Sequence, residues 1–313
     1  VTSGYHAAGV GSKSFTFTPT STAQNFSFYT AAFGGSIDNV VLREAEPDRS
    51  VNGNGLQVFG SITKNPVATG ADLVAYSGFS SSNYLEQPYN SDLDFGTGDF
   101  CVMGWVKTPD TGSSNLSILR RQGDTGLGQF RLRSKGGKAS LWISDDNAVT
   151  IDEALGTTDI DNNAWHFIAA LKNGTSTVQI YVDGRLEATD TITVATGSLN
   201  SSDATIRLGV NQVGNEPWIG SLALLRISAT APSPEAIKKI YEDEKVLFQE
   251  NAKAVLHGTS DAVTALAFDD TTNLLHVGTS AGRSVFQGLR RVDNTTTGVT
   301  SAISASNGLV AEQ

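Results

Sequence analysis

Between Trp165 and Leu186, in WHFIAALKNGTSTVQIYVDGRL, polar and apolar residues alternate with a period of two. Val178, Ile180 and Val182 fall on one side of the segment, and Gln179 and Tyr181 on the other. This spacing predicts half-buried antiparallel strands. Asn173-Gly174 and Asp183-Gly184 both tolerate positive φ, so each predicts a tight hairpin turn. Similar short runs recur along the chain. Phe100 to Val106 is almost wholly apolar, Leu141 and Ile143 flank Trp142, and Leu56 to Tyr76 predicts two short strands around Asn65-Pro66. Ala262 to Leu289 reads strand, turn, strand, turn, strand. Only one stretch has helical character. Ser233 is a capping residue, Pro234 suits the first helical position, and Glu235 meets the positive end of the dipole. Ile237, Ile240 and Tyr241 form its apolar stripe, continued by Leu247-Phe248, and we expect it to close the edge of a sandwich as a lid.

Composition sharpens this picture. Charged residues make up only 17% of the 313 residues, while Gly, Ser, Thr and Asn are abundant. That is the profile of an all-β chain with many turns. The formal net charge of -10 argues against nucleic acid as a partner, because phosphate binding needs clustered Lys and Arg. It argues equally against docking on an anionic membrane. No apolar run approaches the ~18 residues of a membrane span, so membrane insertion is not expected. Cys101 is the single cysteine, so the core and not a disulfide must hold the fold; it alternates with Val102 and faces the same way as Met103 and Trp105. The chain starts at Val1 and carries no signal peptide, which suggests a piece of a longer polypeptide.

Three motifs in order resemble the laminin-G-like, concanavalin A-like sandwiches. They are LDFGTGDFCVMGWVKT (Leu93 to Thr108), the Trp165-His166 opening with its Tyr181-Val182-Asp183-Gly184 turn, and RLGVNQVGNEPWIGSLALLRIS (Arg207 to Ser228). PSPEAIKKIYEDE is similar to the short helix that ends such modules. The resemblance implies an all-β antiparallel sandwich over residues 49–250. Upstream, Ile37 to Leu42 resembles the last strand of jelly-roll carbohydrate-binding modules, so residues 1–48 are expected to be the end of such a unit. Downstream, residues 251–313 resemble one β-propeller blade, too little to bury its own apolar faces. The combination, and wording such as GADLVAYSGFSSSNYLEQPYNSDLDFGTGDF, resemble tail-fibre and other virion proteins of bacteriophages.

Candidate chemistry points to binding. Many relatives hold calcium with an acid just after the glycine of the closing strand. Here Gly220 is followed by Ser221-Leu222-Ala223-Leu224, and Ser80-Ser81-Ser82-Asn83 replaces an acidic pair, so no metal site is expected. Asp159 to Asn163 lacks the Gly and Glu of an EF-hand loop and reads as a turn. No inward strand carries the paired acids of a glycosidase, and His166 belongs to the structural Trp-His opening, so catalysis is not expected. Sugar recognition uses aromatic rings with amides and carboxylates around them. Trp142 alternates with Leu141 and Ile143 and is expected to face outward; Tyr181 is out of phase with its apolar neighbours and is expected to share that face. The polar, glycine-rich loops Asn211 to Glu216 and Gln122 to Gly128 are expected at the rim. Asn211, Gln212 and Asn215 complete the candidate ligand residues. The function implied is non-enzymatic adhesion of a phage tail structure to host cell-surface glycan, without a cofactor. The alternatives are a purely structural spacer or decoration module of the virion, or a piece of a glycan-degrading tailspike. Other copies of the chain and other virion proteins are the expected partners, with a threefold assembly through the tail.

Overall fold

The computed structural model describes residues 42–313 apart from 49, 51, 110, 111, 113, 114, 124–128, 146–148, 254, 261 and 289. The expected jelly-roll strands of residues 1–41 lie outside the described residues. The first strands are β1 (Ala45–Glu46), β2 (Leu56–Phe59), β3 (Thr63–Pro66), β4 (Val74–Ser77) and β5 (Tyr84–Gln87). The central strands are β6 (Phe100–Lys107), β7 (Asn115–Gln122), β8 (Gln129–Lys135), β9 (Lys138–Ser144) and β10 (Asp152–Asp159). They are followed by β11 (His166–Asn173), β12 (Thr177–Val182), β13 (Arg185–Thr191), β14 (Thr205–Leu208) and β15 (Ser221–Ser228). Helix α1 (Pro234–Glu244) precedes β16 (Val263–Asp269), β17 (Leu274–Thr279), β18 (Gly282–Gln287) and β19 (Arg290–Thr295), and a last hairpin of β20 (Ile303–Ser306) and β21 (Leu309–Glu312).

Two antiparallel sheets form the sandwich. One has the order β1-β2-β5-β14-β7-β8-β9-β10, the other β13-β12-β11-β6-β15-β4-β3. Between them lies one large core that includes Phe100, Val102, Phe130, Leu132, Leu141, Ile143, Ile168, Ile180 and Trp218. The near-continuous apolar run of β6 has a physical reason. Phe100, Val102 and Val106 enter this core, whereas Cys101, Met103 and Trp105 enter a second cluster on the far side of the same sheet. A strand covered on both faces has no polar side. Each large side chain so buried contributes about 1.5–3 kcal/mol. Cys101 is buried, and burial pushes its thiol up to about 12.

The second cluster is closed by α1. Ser233 caps the helix by accepting the N–H of Ala236, and Ile237 is fully buried. Trp105 stacks on Phe248 at 4.2 Å between ring centroids, and its indole N–H donates to Glu244 at 2.8 Å. The helix therefore covers the outer face of the seven-stranded sheet, not the sandwich edge expected from the sequence. The Asp183-Gly184 turn serves this closure. Both residues have positive φ, and a Cβ on Gly184 would sit 3.2 Å from the Tyr241 ring and 3.3 Å from Lys238 Cα. At the other hairpin Asn173 pairs with Thr177, so the loop has three residues, one more than the Asn-Gly signal suggested. Asn65 and Pro66 lie inside β3, an edge strand, where a missing N–H is tolerated. The region holds three strands, β2, β3 and β4, and not two.

After Ala252 the chain forms a separate four-stranded antiparallel sheet, β16-β17-β18-β19. Val299 and Ile303 cover one of its faces at Gly278. On the opposite face of its edge strand, Leu266 and Phe268 are 61% and 57% exposed.

Candidate functional site

The outer face of the eight-stranded sheet is the most chemically loaded surface of the sandwich. Strand alternation puts Arg131 and Arg133 of β8 on the side opposite Phe130 and Leu132. Register then assembles the face across strands. Arg120 of β7 pairs with Arg131 and with Arg207 of β14, and Arg207 pairs with Glu86 of β5. Trp142 of β9 is directly opposite Arg131 on one side and Glu153 of β10 on the other. An irregularity between Ser117 and Leu119 keeps both Ser117 and Arg120 on this outer side while Ile118 and Leu119 both enter the core.

Most charges on this face are paired. Arg131 bonds Glu216, Arg133 bonds Glu153 at 2.7 Å, and Lys135 bonds the second Glu153 oxygen at 2.6 Å. Arg207 bonds Glu86 at 2.6 Å and stacks over Tyr84, whose ring lies 4.5 Å from that of Phe59. Burial alone would raise the Glu153 carboxyl, but Lys135, Ser140 and Arg133 outweigh it and hold it below the usual carboxylate range. Arg120 differs. Its contacts are Gln129 Oε1 at 2.7 Å and the Trp142 ring at 5.3 Å, with no carboxylate in ion-pair range among the described residues. Burial, reinforced by repulsion from Arg131 and Arg133 against the pull of Glu216, lowers its guanidinium to about 10. It therefore stays charged at neutral pH.

The residues singled out in the sequence are distributed unevenly. Trp142 is on the outer side, as its phase required, but it is not an exposed platform: only 5% of it is accessible, and Arg120 lies over its ring. Tyr181 does not share its face. It belongs to β12 of the other sheet and is buried in the cluster under α1, where an aromatic body is needed to pack the helix. Asn211 is also buried and works locally, accepting the N–H of Asn215 at 2.8 Å and of Val213 at 3.2 Å while donating to Glu216 at 3.0 Å. It thereby sets the turn that carries Glu216 to Arg131. Gln212 ties the same loop to the sheet by donating to the carbonyls of Arg120 and Thr205. Asn211, Gln212 and Asn215 thus belong to a loop beside the arginine face. Of the Gln122 to Gly128 loop, residues 124–128 lie outside the described residues. Sequence reading passed over Arg120, Arg131 and Arg133. The alternation in RLRSK was the available signal, but their convergence with Trp142 depends on register between distant strands.

The remaining candidates are structural. His166 is held between Asp183 at 2.8 Å and Asn162 at 3.1 Å, and Asp183 also accepts the Phe167 N–H, so the Trp-His opening fastens the Asp-Gly turn. Leu222 and Ala223 are buried, with Leu222 in the main core. Among the described residues no three His, Cys, Asp or Glu side chains gather to hold a metal ion.

Comparison with known proteins places this geometry. Among curated proteins, none matches the sequence. The binding domain of Paraclostridial Mosquitocidal Protein 1 aligns with a TM-score of 0.53 at 14% identity, over 76% of this chain and 62% of that domain. The receptor binding domain of botulinum neurotoxin C/D mosaic serotype gives 0.52 at 15% identity, over 79% and 59%. The binding domain of botulinum neurotoxin DC, solved in complex with rat synaptotagmin II, gives 0.51 at 14% identity, over 80% and 63%. At these identities the likeness is one of fold, and the chain spans less than two thirds of the length of each. Residues 79–238, half of the chain, match the family described as the concanavalin A-like lectin/glucanases superfamily. With its two antiparallel sheets and the sandwich core between them, the chain belongs to that superfamily.

Proposed function

We propose that this chain is a non-enzymatic adhesion module that recognises host cell-surface glycan through the outer face of its eight-stranded sheet. The observation that carries this reading is the row formed by Arg120, Trp142, Arg131 and Arg133 with Gln129 and Gln212 beside it. Such a row offers donors and acceptors on a rigid surface, with the Trp142 ring lying beneath Arg120. The toxin domains that share the fold are binding domains, which supports a receptor-binding role. The state of Glu153 supports binding over hydrolysis on this face. A glycosidase acid needs a raised carboxyl, whereas cations hold Glu153 below the usual range.

The setting in a phage tail or fibre, on the exposed surface of the virion, rests on the resemblance of the chain's wording to such proteins. Within it, the exposed Leu266 and Phe268 of β16 favour an assembly role for the C-terminal sheet, with three copies as the expected closure. A purely structural spacer is the competing reading. A glycan array probed with the whole chain separates the two: retention on a defined set of glycans, lost in Arg120→Ala, supports adhesion, and absence of retention on every glycan supports the spacer.

A further inference from the structure

The outer face of the eight-stranded sheet carries more unsatisfied polar chemistry than a resting surface needs. Arg120 Nε, Arg131 Nε, Ser117 Oγ, Gln122 Oε1 and Gln212 Oε1 are all buried atoms with no hydrogen-bond partner among the described residues. Arg131 itself is only 4% exposed. Buried polar groups without partners cost free energy, so natural structures rarely gather several in one place. Here donors and acceptors lie on or beside one face, within two adjoining strands and the loop that crosses them. A ligand with hydroxyl groups answers both kinds at once, since a hydroxyl donates and accepts.

Charge adds a second, independent constraint. Arg131, Arg133 and Arg207 each have a carboxylate partner, and Lys135 shares Glu153. Arg120 has none among the described residues, and rests on an amide oxygen and a ring. On a chain of net charge -10, an unneutralised, half-buried guanidinium at the centre of a sheet face is out of character. A guanidinium matches a planar carboxylate or a sulfate in a two-pronged fashion. The cation-π contact with Trp142 is weaker than such a pair, so an arriving anion can draw Arg120 off the ring and uncover an aromatic surface.

We infer that the ligand of this face is an acidic sugar, an oligosaccharide bearing carboxylate or sulfate groups, whose anion is taken by Arg120 and whose hydroxyls meet the unpartnered atoms of Ser117, Gln122, Arg131 and Gln212. This deepens the proposed function and rests on its choice of face.

The test is titration calorimetry of the whole chain with four probes: an oligogalacturonate, a sulfated dextran oligosaccharide, a neutral malto-oligosaccharide and an oligoglutamate peptide. The same titrations are run on Arg120→Gln and Arg120→Lys, and each variant is compared with the parent by thermal unfolding. The expected result is binding of one or both acidic sugars, weakened at least about tenfold by Arg120→Gln, partly restored by Arg120→Lys and weakened by added salt. Which acidic probe binds distinguishes carboxylate from sulfate. Neutral sugar binding as tightly as the acidic ones, with loss in a Trp142→Phe variant but not in Arg120→Gln, overturns the acidic ligand and leaves the face. Equal binding of oligoglutamate overturns the sugar. Binding of an acidic sugar unchanged by both Arg120 and Trp142 variants overturns the face itself, and no binding by any probe overturns the inference.

Discussion

The Arg120 guanidinium lies over the Trp142 ring, its central carbon 5.3 Å from the ring centroid, although the two side chains come from strands with β8 between them. The contact lies over an outward-phased tryptophan that is only 5% accessible. Trp142→Ala should therefore destabilise the sandwich by about 3–5 kcal/mol, the range for truncating a buried Trp, and not by the small amount an exposed ring would lose. Chemical denaturation measures the difference. A loss below about 1 kcal/mol would show that Arg120 does not shield the ring.

Asp152 predicts a second effect. Its two oxygens accept the backbone N–H groups of Thr193, Val194 and Ala195 at 2.9, 3.1 and 2.7 Å. Burial would raise this carboxyl, but these bonds outweigh it and hold it below the ordinary value. The folded state therefore binds the proton less readily than the unfolded chain. The contribution is complete above the unfolded value of about 3.9 and is lost as pH falls below it. Asp152→Ala, which strands three donors, should cost about 3 kcal/mol at pH 7 and flatten the acid limb of the stability curve. Denaturant titrations between pH 3 and 7 check both parts.

His276 acts on the C-terminal sheet. It is buried, neither ring nitrogen has a hydrogen-bond partner among the described residues, and burial together with Arg283 lowers it below 6.5 against the pull of Asp269, Glu312 and Asp293. The unfolded chain binds a proton first as pH drops, so stability present above about pH 6.5 is lost below it. Hydrogen exchange should show β17 and β18 losing protection between pH 7 and 5 while β6 and β11 keep theirs. His276→Phe should abolish that loss. Equal acid sensitivity in the variant would assign the effect to other groups.

The C-terminal sheet also carries the assembly proposal. Asn251 and Ala252 are tied to the sandwich, since the N–H of Asn251 donates to Thr69 and the carbonyl of Ala252 accepts from Asp72. A truncation should therefore keep them and remove residues 254–313. Sedimentation should show an oligomer become a monomer with its sandwich intact. A monomeric full chain, or a truncated chain that stays oligomeric, contradicts the proposal.

How much of this was legible in the sequence varies with the range of the interaction. The β11–β12–β13 hairpins were legible, because alternation and turn residues are local properties. So was the apolar continuity of β6, which signals cover on both sides. Tyr181 and Trp142 show the limit. Their phase relative to neighbours could be read, but which sheet each joins, and what lies over it, depends on pairing between distant strands. The same holds for the site. Nothing near Arg120 in the chain announces Trp142 or Glu216; β8 and the turn set by Asn211 bring them together. The irregularity of β7 at Ser117 shifts Arg120 into the arginine row, and a bulge of that kind leaves no mark in the alternation.

The central claim is that ligand binds the outer face of the eight-stranded sheet. The four tryptophans sample different places: Trp142 reports that face, Trp105 and Trp165 the cluster under α1, and Trp218 the main core. The most direct measurement follows their indole N–H resonances, assigned by single Trp→Phe variants, during titration with a glycan retained on the array. The account predicts a shift of the Trp142 resonance together with the Arg120 Nε–H, while Trp105, Trp165 and Trp218 stay in place. Movement of Trp105 or Trp165 with Trp142 unchanged would contradict it.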